Sequence, residues 1–346
     1  MSKIKIIFIA FLTYLLLMAA DLRAGISQNF DGRIDQGLEV LYQGDYDSAL
    51  VIFDSFIRDN PKNPAGYFFK AGLYQTRMSA YESDFWHKYY KNSVDSAIML
   101  CDLALTGDPG DAWAYFIKGG SFSYIAAWDA RQGKYLAAFR NGLKAVSDFK
   151  KAKEIDPSLY DAYIGIGSYH YFRTKATSFL KWLPFIGDGR DQGISEIITA
   201  IEKGRYSRVM GQNALLWIYT DYGRDKKALE LGGLLEKQYP NNPFFHWAVP
   251  EVLWRQKRWK EAEKAYSKLL GLLEQQNPLN NYNKVVVSYK LAKCFLENQK
   301  YQDAFRTAQQ AINYPLDKET AVRLVNERRR AQEVMNQAEK KINDNQ

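Results

Sequence analysis

The side chains able to do acid–base chemistry or to bind a metal are few and scattered along this sequence. Its histidines are His87, His170 and His246, each flanked by aromatic residues, and none has another histidine or a cysteine at metal-ligand spacing. Asp84 lies three residues before His87 on a predicted helix, which is a weak metal signal. We therefore interpret the histidines as packed or edge-exposed side chains.

Sequence motifs for phosphate binding, zinc hydrolysis and nucleophilic catalysis are all missing: GxxxxGK[ST], HExxH and GxSxG do not occur. No carboxylate pair stands out from an ordinary charged helix surface. Cys101 and Cys294 lie in different parts of the chain and are interpreted as buried small hydrophobes without a disulfide. We therefore expect no catalytic residue, no cofactor and no metal, and a hydrolase lacking a known motif ranks third among the functions considered.

The composition is that of an ordinary folded protein. The chain has 346 residues, of which 47% are hydrophobic and 25% charged, which excludes a disordered chain and a protein with many membrane spans. The net charge of +8 is spread thinly, with Arg328–Arg330 as its one dense cluster. We expect a protein or peptide partner and no nucleic acid.

The first 24 residues have the pattern of a secretory signal. Lys3 and Lys5 precede the apolar run Ile6–Ala20, which is shorter than the ~20 residues that span a bilayer. Ala24 and Ala20 mark alternative cleavage points, and an uncleaved N-terminal anchor is the other interpretation. No cysteine follows the run, so attachment of a bacterial lipoprotein lipid is not expected. The predicted location is the periplasm or cell envelope.

A shared register repeats every 48 residues in the first half of the chain. Three prolines lie 48 residues apart, and small residues and tyrosines recur at fixed distances from them. The prolines are Pro61, Pro109 and Pro157; small residues stand twelve positions before them at Ala49, Ala97 and Ala145, with Gly193 continuing the step; tyrosines follow at Tyr67, Tyr115 and Tyr163, and further small residues at Ala71, Gly119 and Gly167. Such self-similarity is the sequence signature of a repeat architecture.

The spacing predicts antiparallel helix hairpins. Two helices approach closely only where both carry a small side chain, which explains alanine or glycine at the expected crossing. A bulky residue four positions after the second small one fills the space one turn away, as with Phe53 and Phe149. Proline then ends the second helix. Each hairpin leaves an apolar stripe that the next hairpin must cover.

These residues resemble the tetratricopeptide-repeat family. Gln43–Pro61 carries Gly44, Tyr46, Ala49 and Phe53 at the family's second-helix positions, and Pro61 at its end. Six further copies extend the likeness over about residues 30–316. The resemblance implies an all-α, right-handed superhelical solenoid of about seven helix hairpins, acting as a protein-interaction scaffold rather than an enzyme. A fainter likeness is to the family of the yeast inclusion-body clearance protein and its animal relatives.

The spacing departs from the family's usual period of about 34 residues. Successive alanine positions are 48, 48, 48, 35, 34 and 42 residues apart, so the early hairpins are expected to have helices about two turns longer. We place the long repeats at 25–204 and ordinary repeats at 205–316. A capping helix and tail follow at 317–346, with one polar helix predicted over Glu319–Ile342.

The family's concave surface is lined by the first helix of each hairpin, and the matching register here selects aromatic residues. They are Phe68, Trp113, Phe116, Tyr124, Tyr171, Phe172, Trp217, Phe244, Trp247 and Trp254. As an exposed groove these rings would bind apolar or aromatic peptide segments. The alternative is that many of them are core, since longer helices bury more surface. The Lys and Asn clamp for a carboxylate tail is replaced by Phe68/Gly72 and Phe116/Gly120, which disfavours that ligand.

The segment Phe179–Gly187 has two interpretations. Its tryptophan, phenylalanines, leucines and single lysine suit a wedge that touches a membrane peripherally. The other interpretation is an apolar elbow that packs back on the helices it joins. The sequence thus predicts an exported, non-enzymatic scaffold with an aromatic-lined groove; the alternative is a groove carrier for an apolar small molecule or lipid.

Overall fold

The computed structural model describes residues 32–176, 187–276 and 280–344. The predicted signal segment 1–24 and residues 179–186 of the predicted wedge lie outside the described residues. The described chain contains α-helices and one 3-10 turn, Pro243–Phe245, and no strand. The helices are α1 Arg33–Tyr42, α2 Tyr46–Asp59, α3 Pro64–Tyr81, α4 His87–Gly107, α5 Ala112–Arg131, α6 Tyr135–Ile155, α7 Ala162–Ala176, α8 Arg190–Lys203, α9 Arg208–Tyr222, α10 Asp225–Gln238, α11 Ala248–Arg255, α12 Trp259–Glu274, α13 Asn281–Glu297, α14 Tyr301–Asn313, α15 Lys318–Arg323 and α16 Val325–Asp344.

The predicted all-α solenoid of helix hairpins is confirmed. Within the described residues, α1 to α14 follow one another as seven helix pairs, joined by short turns except between α7 and α8. The lengthening is found where it was expected in two pairs: α3 to α6 have 18 to 21 residues, against 15 and 14 in α9 and α10. Helices α7 and α8 have 15 and 14 described residues, and residues 177–186 between them lie outside the described part of the chain.

The small residues lie where the paired helices cross, as the register predicts. A Cβ atom built on Gly167 would lie 2.5 Å from the backbone oxygen of Gly193, and one on Gly119 would lie 3.0 Å from that of Ala145. Phe149 and Ile197, the expected fillers, are 2% and 0% exposed. Backbone contact at these positions leaves no room for a side chain, which is why the register admits only small residues there.

The chain divides into two compact units. The first contains Asp45–Gln75 and Trp86–Gly211 together with the chain up to Leu41. The second contains Gln212–Gln346 together with two short pieces, Tyr42–Gly44 and Thr76–Phe85.

In the second unit, buried asparagines bind these short pieces. Asn242, 1% exposed, donates from Nδ2 to the Tyr42 carbonyl oxygen at 2.9 Å and accepts from the Phe244 backbone N–H at 3.0 Å. Asn280 and Asn283 both donate to the Ala80 carbonyl oxygen, at 2.9 and 2.7 Å. Because α1 ends at Tyr42 and α3 ends at Tyr81, these amides satisfy carbonyls at helix ends that have no partner within their own helices.

The C-terminal cap differs from the single predicted helix. It consists of α15, capped by Asp317, and α16, with a break at Leu324, whose side chain is fully buried. Ala331, Val334 and Ala338 of α16 face inward, as expected of a cap. Arg329 pairs with Glu333 at 2.5 Å on an exposed face, whereas Arg328 is half-buried and donates to the Tyr314 carbonyl oxygen at 2.5 Å.

Among the described residues, none of the helices combines the length and the apolar character needed to span a bilayer.

Candidate partner-binding site

Four of the ten predicted groove rings lie in the core of the first unit, so for them the expectation of an exposed surface is wrong. Phe68, Trp113, Phe116 and Tyr171 are 7%, 7%, 5% and 1% exposed. A glycine at one of the positions that replace the family's clamp gives Phe68 room. A Cβ atom on Gly120 would lie 2.5 Å from the ring of Phe68. The Phe68 ring therefore occupies space that a larger residue would have filled.

Rings from successive hairpins of the first unit contact one another continuously. Phe68 stacks on Tyr124 with ring centroids 5.1 Å apart and meets Phe116 edge-on at 6.1 Å. Trp113 meets Phe116 at 5.3 Å and Tyr206 at 5.8 Å. Burial raises the pKa of Tyr124 well above its usual value. Rings packed in this way are unavailable to an apolar ligand, so this half of the chain does not favour the lipid-carrier alternative.

Asp161 holds Tyr206 in that ring cluster. Its carboxylate, 3% exposed, accepts hydrogen bonds from the backbone N–H groups of Arg205, Tyr206 and Ser207 at 2.9, 2.7 and 2.8 Å. The Ser207 hydroxyl donates to it at 2.8 Å. The turn that leads into α9 is thus fastened by a residue more than forty positions earlier, an arrangement that the repeat register did not indicate.

The remaining predicted rings are accessible to different degrees. Phe172, in the first unit, is 55% exposed, and Trp217, on α9 in the second unit, is 41% exposed. Phe244, Trp247 and Trp254 are half-buried in the second unit. Accessible rings are therefore found in both units, with Phe172 in the first and Trp217 in the second.

Trp254 is fixed by neighbours on three sides. Its ring meets Trp259 at 5.3 Å, Tyr266 at 6.1 Å and Tyr289 at 6.1 Å, all edge-on. Lys290 Nζ lies 5.8 Å from the centre of the Trp254 ring, within the range of a cation–π contact. We call Trp254, Tyr266, Tyr289, Lys290 and their partner Glu251 the Trp254 cluster.

Charges in the Trp254 cluster are paired beneath the rings. Glu251 accepts a hydrogen bond from the Tyr266 hydroxyl at 2.9 Å and forms an ion pair with Lys290. Burial, followed by the Glu251 charge, raises the pKa of Tyr266, which therefore remains a hydroxyl donor. Sequence reasoning missed Glu251 and Lys290 because the register was searched for aromatic residues alone. Glu251 nevertheless stands between Trp247 and Trp254, and that spacing was a usable signal.

The histidines are packed, as predicted. His87 stacks on Trp128 at 4.0 Å, His170 Nδ1 lies 2.6 Å from Glu196 Oε2, and His246 is 2% exposed. No group of three or more His, Cys, Asp or Glu side chains suited to a metal is found in the described part of the chain. Cys101 and Cys294 are buried free thiols, and burial raises the pKa of Cys294 to about 12.

A partly buried acidic group lies near Lys118 in the first unit. Lys118 pairs with Asp102 at 2.7 Å, and Asp148 lies close to both. Burial raises the pKa of Asp148 to about 6, with Lys118 opposing the rise and Asp102 adding to it. Oδ2 of Asp148 is enclosed without a hydrogen-bond partner in the described residues.

Residues 287–315 match the tetratricopeptide-repeat family model, and this match agrees with the helix pairs and their small-residue crossings. Together they support a tetratricopeptide-repeat fold for the chain, and the family model itself covers this one repeat. A comparison with curated proteins finds no match.

Solved structures are similar to this chain at low sequence identity. The Cut9–Hcn1 assembly of the APC/C is similar over 90% of this chain and 52% of its own, with 14% identity and a TM-score of 0.51. PilW, a type IV pilus biogenesis factor, is similar over 72% of this chain and 96% of its own, with 15% identity and a TM-score of 0.48. TTC0263 of Thermus thermophilus is similar over 65% and 98%, with 16% identity and a TM-score of 0.41.

Proposed function

We propose that this protein is a non-enzymatic scaffold that binds a protein or peptide partner through the first helices of its second unit. A tetratricopeptide-repeat fold is in general a protein-interaction scaffold, which gives the broad class. The observation that carries the finer assignment is the exposure of Trp217 on α9, at 41%.

The Trp254 cluster supports the proposal because its rings are already fixed in place. A rigid aromatic side chain loses little conformational entropy on binding, and tryptophan and tyrosine are enriched among the residues that dominate binding energy. The half-buried Glu251–Lys290 pair beneath these rings supplies charged groups for backbone or polar groups of a peptide. The expected ligand is therefore a peptide that carries apolar or aromatic side chains.

The test begins with selection of peptides from a displayed library on the full chain, followed by affinity measurement for one selected peptide. Trp217→Ala removes an exposed ring and leaves the core intact. If Trp217 is a principal anchor, the affinity falls about 30-fold, the effect of a residue worth ~2 kcal/mol.

Leu234→Ala is the matched control. Leu234 is 49% exposed on α10, the second helix of the same pair, and its loss should leave the affinity unchanged. A second variant, Trp254→Phe, keeps a ring in the cluster and should weaken binding less than Trp217→Ala. Equal affinities for the Trp217→Ala, Leu234→Ala and unaltered chains would contradict the proposal.

The proposed place of action is the cell envelope, after export directed by residues 1–24. The apolar run Ile6–Ala20 and the alanines at 20 and 24 support this proposal. Fractionation of cells that produce the full chain, with N-terminal sequencing of the product, tests it. Recovery of the intact chain in the cytoplasmic fraction would contradict it.

A further inference from the structure

The first half of α6 carries an exposed apolar face on the first unit. Tyr135, Leu136, Phe139 and Leu143 are 74%, 89%, 47% and 42% exposed. Their spacing of one, four and eight residues places them within an arc of about 100° on the helix. The buried residues of α6, Ala145, Val146, Phe149 and Ala152, belong to its second half.

Basic residues surround this apolar face. The eighteen residues from Ala130 to Ser147 contain four arginines and lysines and no acidic residue. Lys134, Arg140 and Lys144 are exposed. Lys134 and Arg140 form no salt bridge with another described residue, and Lys144 Nζ lies 5.0 Å from the centre of the Phe122 ring. Their charges are therefore available to an anionic surface.

Aromatic side chains at the same end of the first unit add to its interfacial character. Trp128, near the end of α5, stacks on His87 at 4.0 Å, and the Arg131 guanidinium lies 5.9 Å from the Trp128 ring. Tyrosine and tryptophan rings and long basic side chains prefer the boundary between water and hydrocarbon.

We propose that the turn between α5 and α6, with the first half of α6, docks on an anionic lipid surface. Leu136 and Phe139 enter the headgroup region, Tyr135 lies at the boundary, and Lys134, Arg140 and Lys144 bind lipid phosphates. The combination of an apolar arc and flanking basic residues on one helix is the arrangement of interfacial helices. A protein partner would need an acidic rim around an apolar pocket, whereas anionic lipid offers both features on any surface it forms. This inference uses different residues from the proposed peptide site and does not depend on it.

A local fluorescent label tests the proposal in the full chain. Both native cysteines are fully buried, so Leu136→Cys gives one accessible thiol for an environment-sensitive dye. On vesicles of phosphatidylcholine with phosphatidylglycerol, its emission should shift to the blue and be quenched by lipids with spin-labelled acyl chains. Because the readout is local, the apolar run Ile6–Ala20, present in every variant, does not produce it.

Met99→Cys is the matched control. Met99 is 62% exposed and lies on the long helix α4 of the same unit, near the exposed Leu103 and the acidic residues Asp95 and Asp102. A dye at this position should not respond to the vesicles. In the Leu136→Cys chain, the double change Lys134→Gln and Arg140→Gln should raise the lipid concentration that gives half of the maximal dye response by about 25-fold. Each basic residue near the surface contributes about fivefold to this concentration.

Three results would overturn the proposal. One is a dye at Leu136 that does not respond to anionic vesicles, and another is an equal response at Met99. The third is a blue shift that appears without vesicles and rises with protein concentration, which would identify a second copy of the chain as the occupant of this face.

Discussion

Replacing Asp161 with alanine should destabilise the first unit more than any single exposed substitution. The change removes four accepted hydrogen bonds and leaves the backbone N–H groups of Tyr206 and Ser207 buried without an acceptor. Each buried polar group left unpaired costs about 1–3 kcal/mol, so we expect a loss of roughly 3–5 kcal/mol in the free energy of unfolding.

Asp161→Asn separates the charge from the shape of the side chain. Three of the four donors bind Oδ1, at 2.7, 2.8 and 2.8 Å, and an asparagine oxygen preserves these bonds. Its amide nitrogen replaces Oδ2 and faces the Arg205 N–H, so one bond and the charge are lost. The expected cost is about 1–2 kcal/mol.

Urea denaturation measures the global cost, and amide hydrogen exchange of the 205–211 segment measures the local one. The local measurement is needed because a chain with two compact units need not unfold in one step. Exchange in this segment should be fastest for Asp161→Ala and intermediate for Asp161→Asn. If both variants match the unaltered chain in stability and exchange, the carboxylate does not hold the turn and the reasoning fails.

Two further predictions concern the same unit. Asp148→Asn should raise the melting temperature at about pH 7.5 and change it little at about pH 4. The pKa of Asp148 is raised to about 6 in the folded chain from 3.8, so the stability contributed by its protonated form is complete below pH 3.8 and is lost as the pH rises through about 6. A melting-temperature difference from the unaltered chain that is constant across this range would contradict the assignment. Gly120→Ala should lower the free energy of unfolding by about 1–3 kcal/mol because the new Cβ would overlap the Phe68 ring. Gly142→Ala, whose Cβ would meet nothing within 4 Å, should raise it by about 0.5–1 kcal/mol through the helix propensity of alanine. Urea denaturation measures both, and equal effects would show that the Phe68 ring moves aside at no cost.

Features with a local physical cause could be predicted from the sequence. Close approach of two helices requires a small residue on each, so the positions of Gly119, Ala145, Gly167 and Gly193 already defined the crossings that the structure shows. Likewise, the proline of each copy marks the end of a helix, and the bulky residue fills the space beside the helix crossing. Hairpin order and the capping role of α16 follow from these local rules.

Features that depend on distant residues could not be predicted from the repeat. Asp161 binds a turn 44 to 46 positions later, and Asn283 binds Ala80 across 203 positions, contacts that no spacing within one repeat records. The break at Leu324 is of the same kind, because its buried side chain is placed by packing rather than by the helical pattern of the cap. The Glu251–Lys290 ion pair joins two helices, and a register of aromatic residues alone does not indicate it.

The residue one turn after Phe68 and after Phe116 explains why these two rings are core although the register predicts them in an exposed groove. Phe68 and Phe116 are followed four positions later by Gly72 and Gly120, and those glycines admit a ring from the neighbouring hairpin.

In the second unit, Trp217, Trp247 and Trp254 are followed at the same distance by Asp221, Glu251 and Arg258. A charged residue at that position does not leave the room that glycine leaves, but it does not by itself keep a ring exposed, because Tyr171 is 1% exposed although Lys175 follows it. Trp217, 41% exposed, and the half-buried Trp247 and Trp254 lack such a glycine, so the burial of Phe68 and Phe116 follows from the glycine after each of them and that of Tyr171 from its own packing.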